Sequence, residues 1–386
     1  MDRADGSVGW QRRSCQTMRI SGEKWIASSE WPRGMRLPDM KTFVLRSVLN
    51  GLRWSGAAGL FARCCRWDGV VFMLHRVRPR SDAPFQPNGH LEVTPEFLDA
   101  VLTHLKEQRI EVISLSDAAA RMRGEGSGSG RFAVLTFDDG YRDNLDHALP
   151  ILQKHRAPAT VYVCSGMIDG TANCWWLLLE RAIAENKAVD LDILGHRYTC
   201  DCADERSKNR AFSRLLLALR SAPVDEQRRV SAELCQRYGL DMALMLKAEM
   251  LDWQGVRDLA TSGLVTVSGH SRTHASLAGL SASLCREEIV GGCADIEQQT
   301  GQRVVDFAYP FGRNRNFGRR EMAFVRQAGL QTAVSSKPGF MRSGETDLLA
   351  IPRISLNGHY QSIAYVDVLL SGLPAACARL TFASLR

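Results

Sequence analysis

Short apolar runs and helix-periodic stretches take turns along most of this chain, and that alternation restricts the fold more than any other feature. Gly69–Leu74, Phe132–Phe137, Ala159–Val163, Leu264–Ser268, Val305–Tyr309 and Thr332–Ser335 read as strands too apolar to keep a wet face, and Glu111–Leu115 reads as a further one. Between them lie helical patterns. Thr94-Pro95-Glu96 supplies a capping hydroxyl and a first-turn proline for one helix, and Trp253–Ser262, Ser281–Thr300 and Phe317–Ala328 supply others. Strands buried on both faces and separated by helices define a parallel α/β sheet or barrel.

One stretch breaks the rhythm. Residues 172–248 are mostly helical in pattern, with a short hairpin-like piece near Ile193 to Cys200, and are expected to form a helical insertion. The barrel is then expected in two pieces, 68–171 and 249–360, with a C-terminal helical tail over 361–386. Ahead of it, 1–39 mixes Arg, Gly, Ser, Trp and Pro without period and reads as a disordered basic extension. Residues 40–67 read as an amphipathic helical leader, with Phe43, Val44, Ser47, Val48 and Leu52 at helical intervals beside Lys41, Arg46 and Arg53.

Charge follows that division. Residues 1–80 carry 15 basic and 6 acidic side chains of the chain's 49 and 42, so the remainder is nearly neutral. The basic leader suits peripheral contact with an anionic membrane surface, while no nucleic-acid partner is expected for the main domain. The first 30 residues lack the apolar core of a secretory signal, so the expected location is cytoplasmic, at the inner membrane face. The 11 cysteines are scattered without a CxxC pair, which argues for reduced, buried thiols rather than a disulfide framework or zinc ribbon.

Two stretches carry chemistry. Asp138-Asp139-Gly140 directly follows the strand Phe132–Phe137, at the strand end where α/β folds place their sites. Adjacent carboxylates repel, and a nearby cation relieves them; alone, the same residues also make an ordinary solvated turn. The second stretch is Ser268-Gly269-His270-Ser271-Arg272-Thr273-His274, again past a strand. Imidazoles four residues apart share one face of a helical turn and, with one Asp, form a two-His, one-carboxylate set that leaves open positions for water and substrate.

Thr136-Phe137-Asp138-Asp139-Gly140-Tyr141-Arg142-Asp143-Asn144, then His270-Ser271-Arg272-Thr273-His274, then Ala308-Tyr309-Pro310-Phe311-Gly312, in that order, resemble the NodB-type polysaccharide deacetylases, carbohydrate esterase family 4. The resemblance spans roughly residues 70–355 and implies an irregular (β/α) barrel. It implies Asp138 as general base, and Asp139, His270 and His274 as ligands of a divalent metal, zinc first. The late L-x-H motif that supplies the family's usual acid is missing here. Val71-Phe72-Met73-Leu74-His75-Arg76-Val77 instead resembles the opening of circularly permuted members, which makes His75 the candidate acid.

The third motif also departs from the family's R-x-P-Y-G. Arg353, in a segment resembling the late Pro-Arg-Ile of permuted members, becomes the candidate to orient Asp138. Tyr309 and the backbone at Phe311 are the candidate substrate and oxyanion contacts. Hydrolysis of an acetamide needs an activated water, a polarised carbonyl and a proton for the leaving amine, and these residue types supply all three. The implied substrate is an N-acetylated glycan, a polysaccharide or chitooligosaccharide. Two alternatives remain open: an amidase on a small amide, and a catalytically weakened glycan-binding protein at a membrane. Trp175, Trp176 and Trp253 read as core before sugar platforms.

Overall fold

The structure is a computed structural model that describes residues 47–377 except Val48, Arg53 and Ser127. The expected extension 1–39, much of the leader and the last residues of the tail lie outside the described residues.

Seven strands form the main sheet: β1 Gly69–Leu74, β2 Phe132–Phe137, β3 Ala159–Val163, β4 Val265–Gly269, β5 Asp306–Ala308, β6 Thr332–Val334 and β7 Ile354–Ser355. Their order is β6-β5-β4-β3-β2-β1-β7, and every pairing along it is parallel. Glu111–Val112 adds a short parallel piece beside the first residues of β2. The sheet curls. Ile351 bridges Val334 of β6, and Ile354 three residues later pairs with Phe72 of β1, so one segment bonds to both edges. This is the irregular (β/α) barrel that the family resemblance implied, one of the two forms the alternation allowed.

The reason for the curl lies in the side chains. Val70, Phe72 and Leu74 pack outward against helices, while Val71, Val134, Tyr162, Ala308, Val334 and Ile351 fill the barrel interior. Each fully buried Val, Leu or Phe contributes about 1.5–3 kcal/mol, which a sheet with a wet face would forfeit on every second residue. Thr94 caps the helix Pro95–Glu107 through its hydroxyl, as expected.

Three expectations need correction, and one strand was not expected. Glu111–Leu115 is a strand only through Val112, because the Ser114 hydroxyl accepts from Asp117 N–H and starts the helix Leu115–Arg123. The expected helix 281–300 is interrupted by a wide turn over Glu287–Gly291. The strand Ile354–Ser355 carried no apolar run to announce it. Finally, the leader is not simply a surface helix: Leu49 and Ala58 are buried in the main core.

Residues 172–248 contain the helices Trp175–Glu185, Glu205–Ser221, Val224–Tyr238 and Met242–Glu249 around an antiparallel hairpin, Ala188–Ile193 with His196–Asp201. They pack on a core of their own in which Leu178, Leu179, Leu215, Val230 and Leu234 are fully buried. The described part of the tail begins with the helix Ile363–Leu370, tied down where Trp67 Nε1 donates to Leu370 O. No described helix is long and apolar enough to cross a membrane. The nine cysteines whose side chains are described are free thiols.

Candidate active site

Asp138 follows the last residue of β2 and keeps the ladder going, its N–H donating to Leu74 O at 2.9 Å. Asp139 does not. Its φ of 76° and that of Gly140 at 80° place two successive residues in the left-handed region, so neighbouring carboxylates reach different partners. A non-glycine residue held there costs about 1–2 kcal/mol, least for Asp and Asn.

Asp138 meets Arg353. Nη1 donates to Oδ1 and Nη2 to Oδ2, each at 2.7 Å, with the Arg353 side chain 1% and the Asp138 side chain 4% exposed. Burial alone would raise the Asp138 pKa, but the guanidinium outweighs it and holds the carboxyl below its ordinary value. Arg353 also donates to Thr136 Oγ1 and Ser335 O, so its position is fixed on three sides.

Asp139 meets the imidazoles. His270 Nε2 and His274 Nε2 lie 3.3 and 3.4 Å from Asp139 Oδ1, and the three ligand atoms fall within 4.8 Å of one another. His270 Nδ1 sits 2.8 Å from Ala308 O, a carbonyl that can only accept. The proton therefore belongs on Nδ1, and the Nε2 lone pair faces the carboxylate. Asp139 Oδ1 is buried and has no hydrogen-bond partner. Lone pairs gathered round an unsatisfied buried oxygen are costly unless positive charge lies among them.

The two imidazoles respond differently to the carboxylates. Burial works against charge on His270, yet Asp139 and Asp138 together raise its pKa. His274, where burial and the neighbouring His270 prevail, falls to about 4 and is neutral at ordinary pH. Asp139 is pulled well down, burial notwithstanding, by the two imidazoles. Two His nitrogens and a carboxylate at this spacing fit a divalent ion, because ligand atoms each about 2.0–2.1 Å from a tetrahedral centre lie about 3.3 Å apart.

His270 and His274 are not on a helical turn. The segment past β4 is a loop, with Ser271 at φ 63° and His274 at φ 59°, and it is held from outside. Glu288 accepts from Arg272 N–H, Thr273 N–H and the Thr273 hydroxyl, while Asp295 accepts from the Arg272 guanidinium and from Ser165. Sequence reasoning missed both carboxylates. They sit among other acidic residues on a stretch whose pattern announces only a helix.

His75 borders the same cavity, about 500 Å³, as Asp138, Asp139, His270 and His274. Its place is set by the far end of the first motif: Asn144 Nδ2 donates to His75 O at 2.9 Å, and Asp143 accepts from Val77 N–H and Arg76 Nε. Phe311 also borders the cavity, in a left-handed backbone at φ 60°, its ring 4.7 Å from that of His274. Tyr309 is different. It borders the same cavity, while its hydroxyl donates to Leu349 O and its ring stacks on Phe317, so the hydroxyl is already engaged in the fold.

Trp175 and Trp176 are buried, as expected of core, yet both border the cavity, and the Trp176 ring lies 5.2 Å from that of His274. Trp253 Nε1 instead donates to Asp169, outside the cavity lining.

Residues 125–333 of the 386 match the sequence model of the family described as polysaccharide deacetylase, and the chain belongs to that family. In three dimensions it is similar to the Streptococcus pyogenes deacetylase PplD, solved in complex with acetate, at 17% identity over 78% of this chain and 96% of that one, with a TM-score of 0.52. It is also similar to IcaB from Ammonifex degensii, at 16% identity over 79% and 96%, with a TM-score of 0.50. Both likenesses are of fold. A search of curated proteins finds no match. His75 and Arg353 lie outside the matched residues, so their places in the site come from the geometry alone.

Proposed function

We propose that this polysaccharide deacetylase family member is a metal-dependent hydrolase that removes N-acetyl groups from a glycan containing N-acetylhexosamine. The observation that carries the reading is one cavity in which the Arg353-paired Asp138 stands beside the buried cluster Asp139, His270 and His274, with a buried carboxylate oxygen that has no hydrogen-bond partner.

Asp139, His270 and His274 would hold the ion, and zinc suits two imidazoles and a carboxylate. Bound there, it would supply Lewis acidity to the acetyl carbonyl and to the attacking water. The chain's own residues do the rest. Asp138, kept ionised by Arg353, takes a proton from the water as its oxygen adds to the carbonyl carbon. Both Asp138 oxygens are already bonded to the guanidinium, yet each keeps a second lone pair for that proton. The Phe311 N–H donates to the developing oxyanion. His75 gives a proton to the nitrogen as the C–N bond breaks, and acetate and a free amine leave.

The test is acetate release from acetylated chitooligosaccharides, followed by mass spectrometry of the sugar. Loss of release in Asp138→Asn and in His270→Ala, with the fold intact by circular dichroism, supports the reading. Full activity in either variant rejects it, as does turnover of small amides with none of any acetylated glycan.

A further inference from the structure

Asn88 and His90 border the cavity, although neither belongs to a motif that carries the proposed chemistry. They stand at the start of a single helical turn, Gly89–Leu91, on the way from the end of β1 to the helix Pro95–Glu107. An asparagine just before a helical turn ordinarily caps it with its side-chain oxygen, and Asn88 does not. Its amide is engaged elsewhere.

Asn88 Nδ2 donates to Glu180 Oε2 at 2.7 Å and, at longer range, to Trp176 O at 3.5 Å. Both partners sit on the helix Trp175–Glu185 of the insertion, and a main-chain carbonyl can only accept. The amide is thereby oriented, with its nitrogen toward that helix and Oδ1 turned from it. His90 divides its two nitrogens in the same way. Its Nδ1 lies 3.3 Å from Pro87 O, so the proton belongs on Nδ1 and the Nε2 lone pair is left over. Burial first, and then His359 and His75, push its pKa down to about 4, so the ring is neutral at ordinary pH.

Asn88 Oδ1 and His90 Nε2 accept no hydrogen bond among the described residues, and neither is one of the fully buried orphan atoms. Each is open to a donor from the cavity side. The turn that carries them is also held firmly. The His359 ring stacks on that of His90, with centroids 5.8 Å apart and planes 17° from parallel, and Gly358 N–H donates to His90 O. A Cβ at Gly358 would fall 2.0 Å from Gly89 O, so the segment after β7 lies directly on the turn. Acceptors fixed in advance lose little freedom when a ligand arrives.

We propose that Asn88 and His90 form an acceptor-only edge of the cavity, which sets specificity by receiving the hydrogens of neutral sugar hydroxyls. The inference rests on the deacetylase reading for which molecule enters, and on these two residues for how it is held. Glu180 and Trp176 O act through Asn88 as positioning groups. A hydroxyl is the matching chemistry because it donates and carries no charge. A phosphate or carboxylate oxygen, ionised at neutral pH, has no hydrogen to give and would face lone pairs.

The experiment uses diacetylchitobiose and a set of analogues, each with one hydroxyl replaced by hydrogen, so that every analogue is smaller than the parent. Acetate release is followed in the native protein, in Asn88→Leu and in His90→Phe. In the native protein at least one analogue should fall about 3- to 10-fold below the parent in kcat/KM, the range of one net hydrogen bond. In one of the two variants that analogue and the parent should react equally, with metal content unchanged. A merely structural defect would lower every sugar alike and leave the discrimination in place. His90→Phe keeps a ring to stack on His359, so it tests the edge should Asn88→Leu not fold. No discrimination in the native protein, or discrimination that survives both substitutions, overturns the proposal.

If no sugar releases acetate, it is the deacetylase reading that has failed, and calorimetric Kd values for the same sugars decide the edge. A selective loss in the native protein that disappears in a variant would retain it. Binding indifferent to every hydroxyl, or no binding, would remove it.

Discussion

Arg353 holds Asp138 by both carboxylate oxygens, and the two residues stand 215 positions apart in the chain. Arg353 lies between Ile351, which bridges Val334, and Ile354, which pairs with Phe72. The segment that joins the two edges of the sheet therefore also orients the carboxylate at the tip of β2. Barrel closure and the proposed base are one arrangement.

Replacing Arg353 by Met leaves a buried carboxylate without its partner and is expected to destabilise the fold by about 3–5 kcal/mol, read as a lowered denaturant midpoint. Arg353→Lys should recover part of that stability but not the paired geometry, so kcat should stay about 100-fold down or more. The pH profile adds a sign. With the guanidinium gone, burial dominates Asp138, its pKa rises, and the acid limb of kcat/KM moves to higher pH. An Arg353→Met protein with native midpoint and native acid limb would show that the pair does neither job.

Metal content separates the two aspartates. Asp139→Asn and His270→Ala should lose bound divalent metal by elemental analysis, whereas Asp138→Asn should keep it and lose turnover by about 100- to 10,000-fold. Chelation of the native protein should lower its melting temperature, since an ion present at 100 times its Kd stabilises by about 2.7 kcal/mol. Equal metal in all three variants would dissolve the assignment of Asp139.

The clamp on His75 is testable without touching His75. Asn144→Ala removes the donor to the His75 carbonyl. It is expected to lower kcat about 10- to 100-fold through misplacement of the imidazole, with KM and metal content little changed. Asn144→Asp, which keeps the size but turns the donor into an acceptor, should do no better. A normal kcat in Asn144→Ala would mean that the end of the first motif serves folding alone.

The covered parallel sheet was legible because Gly69–Leu74 and Phe132–Phe137 are apolar on both faces, and its barrel form was legible only through the family resemblance. The Thr94 cap was legible from three residues. Asp138-Asp139 and the paired histidines stood out together, because each has an ordinary surface reading alone and both fall directly past apolar strands. What remained hidden depends on backbone angles and distant partners. Four-residue spacing is the same on a helix and in a loop, so nothing in His270 to His274 announced left-handed residues at Ser271 and His274. Glu288 and Asp295 look like any solvent-facing acids until the fold sets them under the loop. Tyr309 was read by its motif position, which said nothing of the partners its hydroxyl and ring find in Leu349 O and Phe317.

Asp306 gives a pH-dependent prediction outside the site. It opens β5, is 1% exposed, and accepts from Thr332 Oγ1 through Oδ1 while Oδ2 has no partner. Burial raises its pKa to about 6 against an ordinary 3.8, the Thr332 hydroxyl only partly offsetting it. The folded protein thus holds a proton that the unfolded chain has released, so stability from this group is intact below about pH 4 and is lost as pH climbs through 6. Once ionised, the carboxyl costs the fold about 3 kcal/mol. Asp306→Asn keeps an oxygen for the Thr332 hydroxyl and carries no charge at any pH. Its stability advantage over the native protein, from urea midpoints, should be small at pH 4, grow between 4 and 6, and level off above. A difference that is flat across that range would show that Asp306 does not titrate there, and that the barrel interior tolerates the charge.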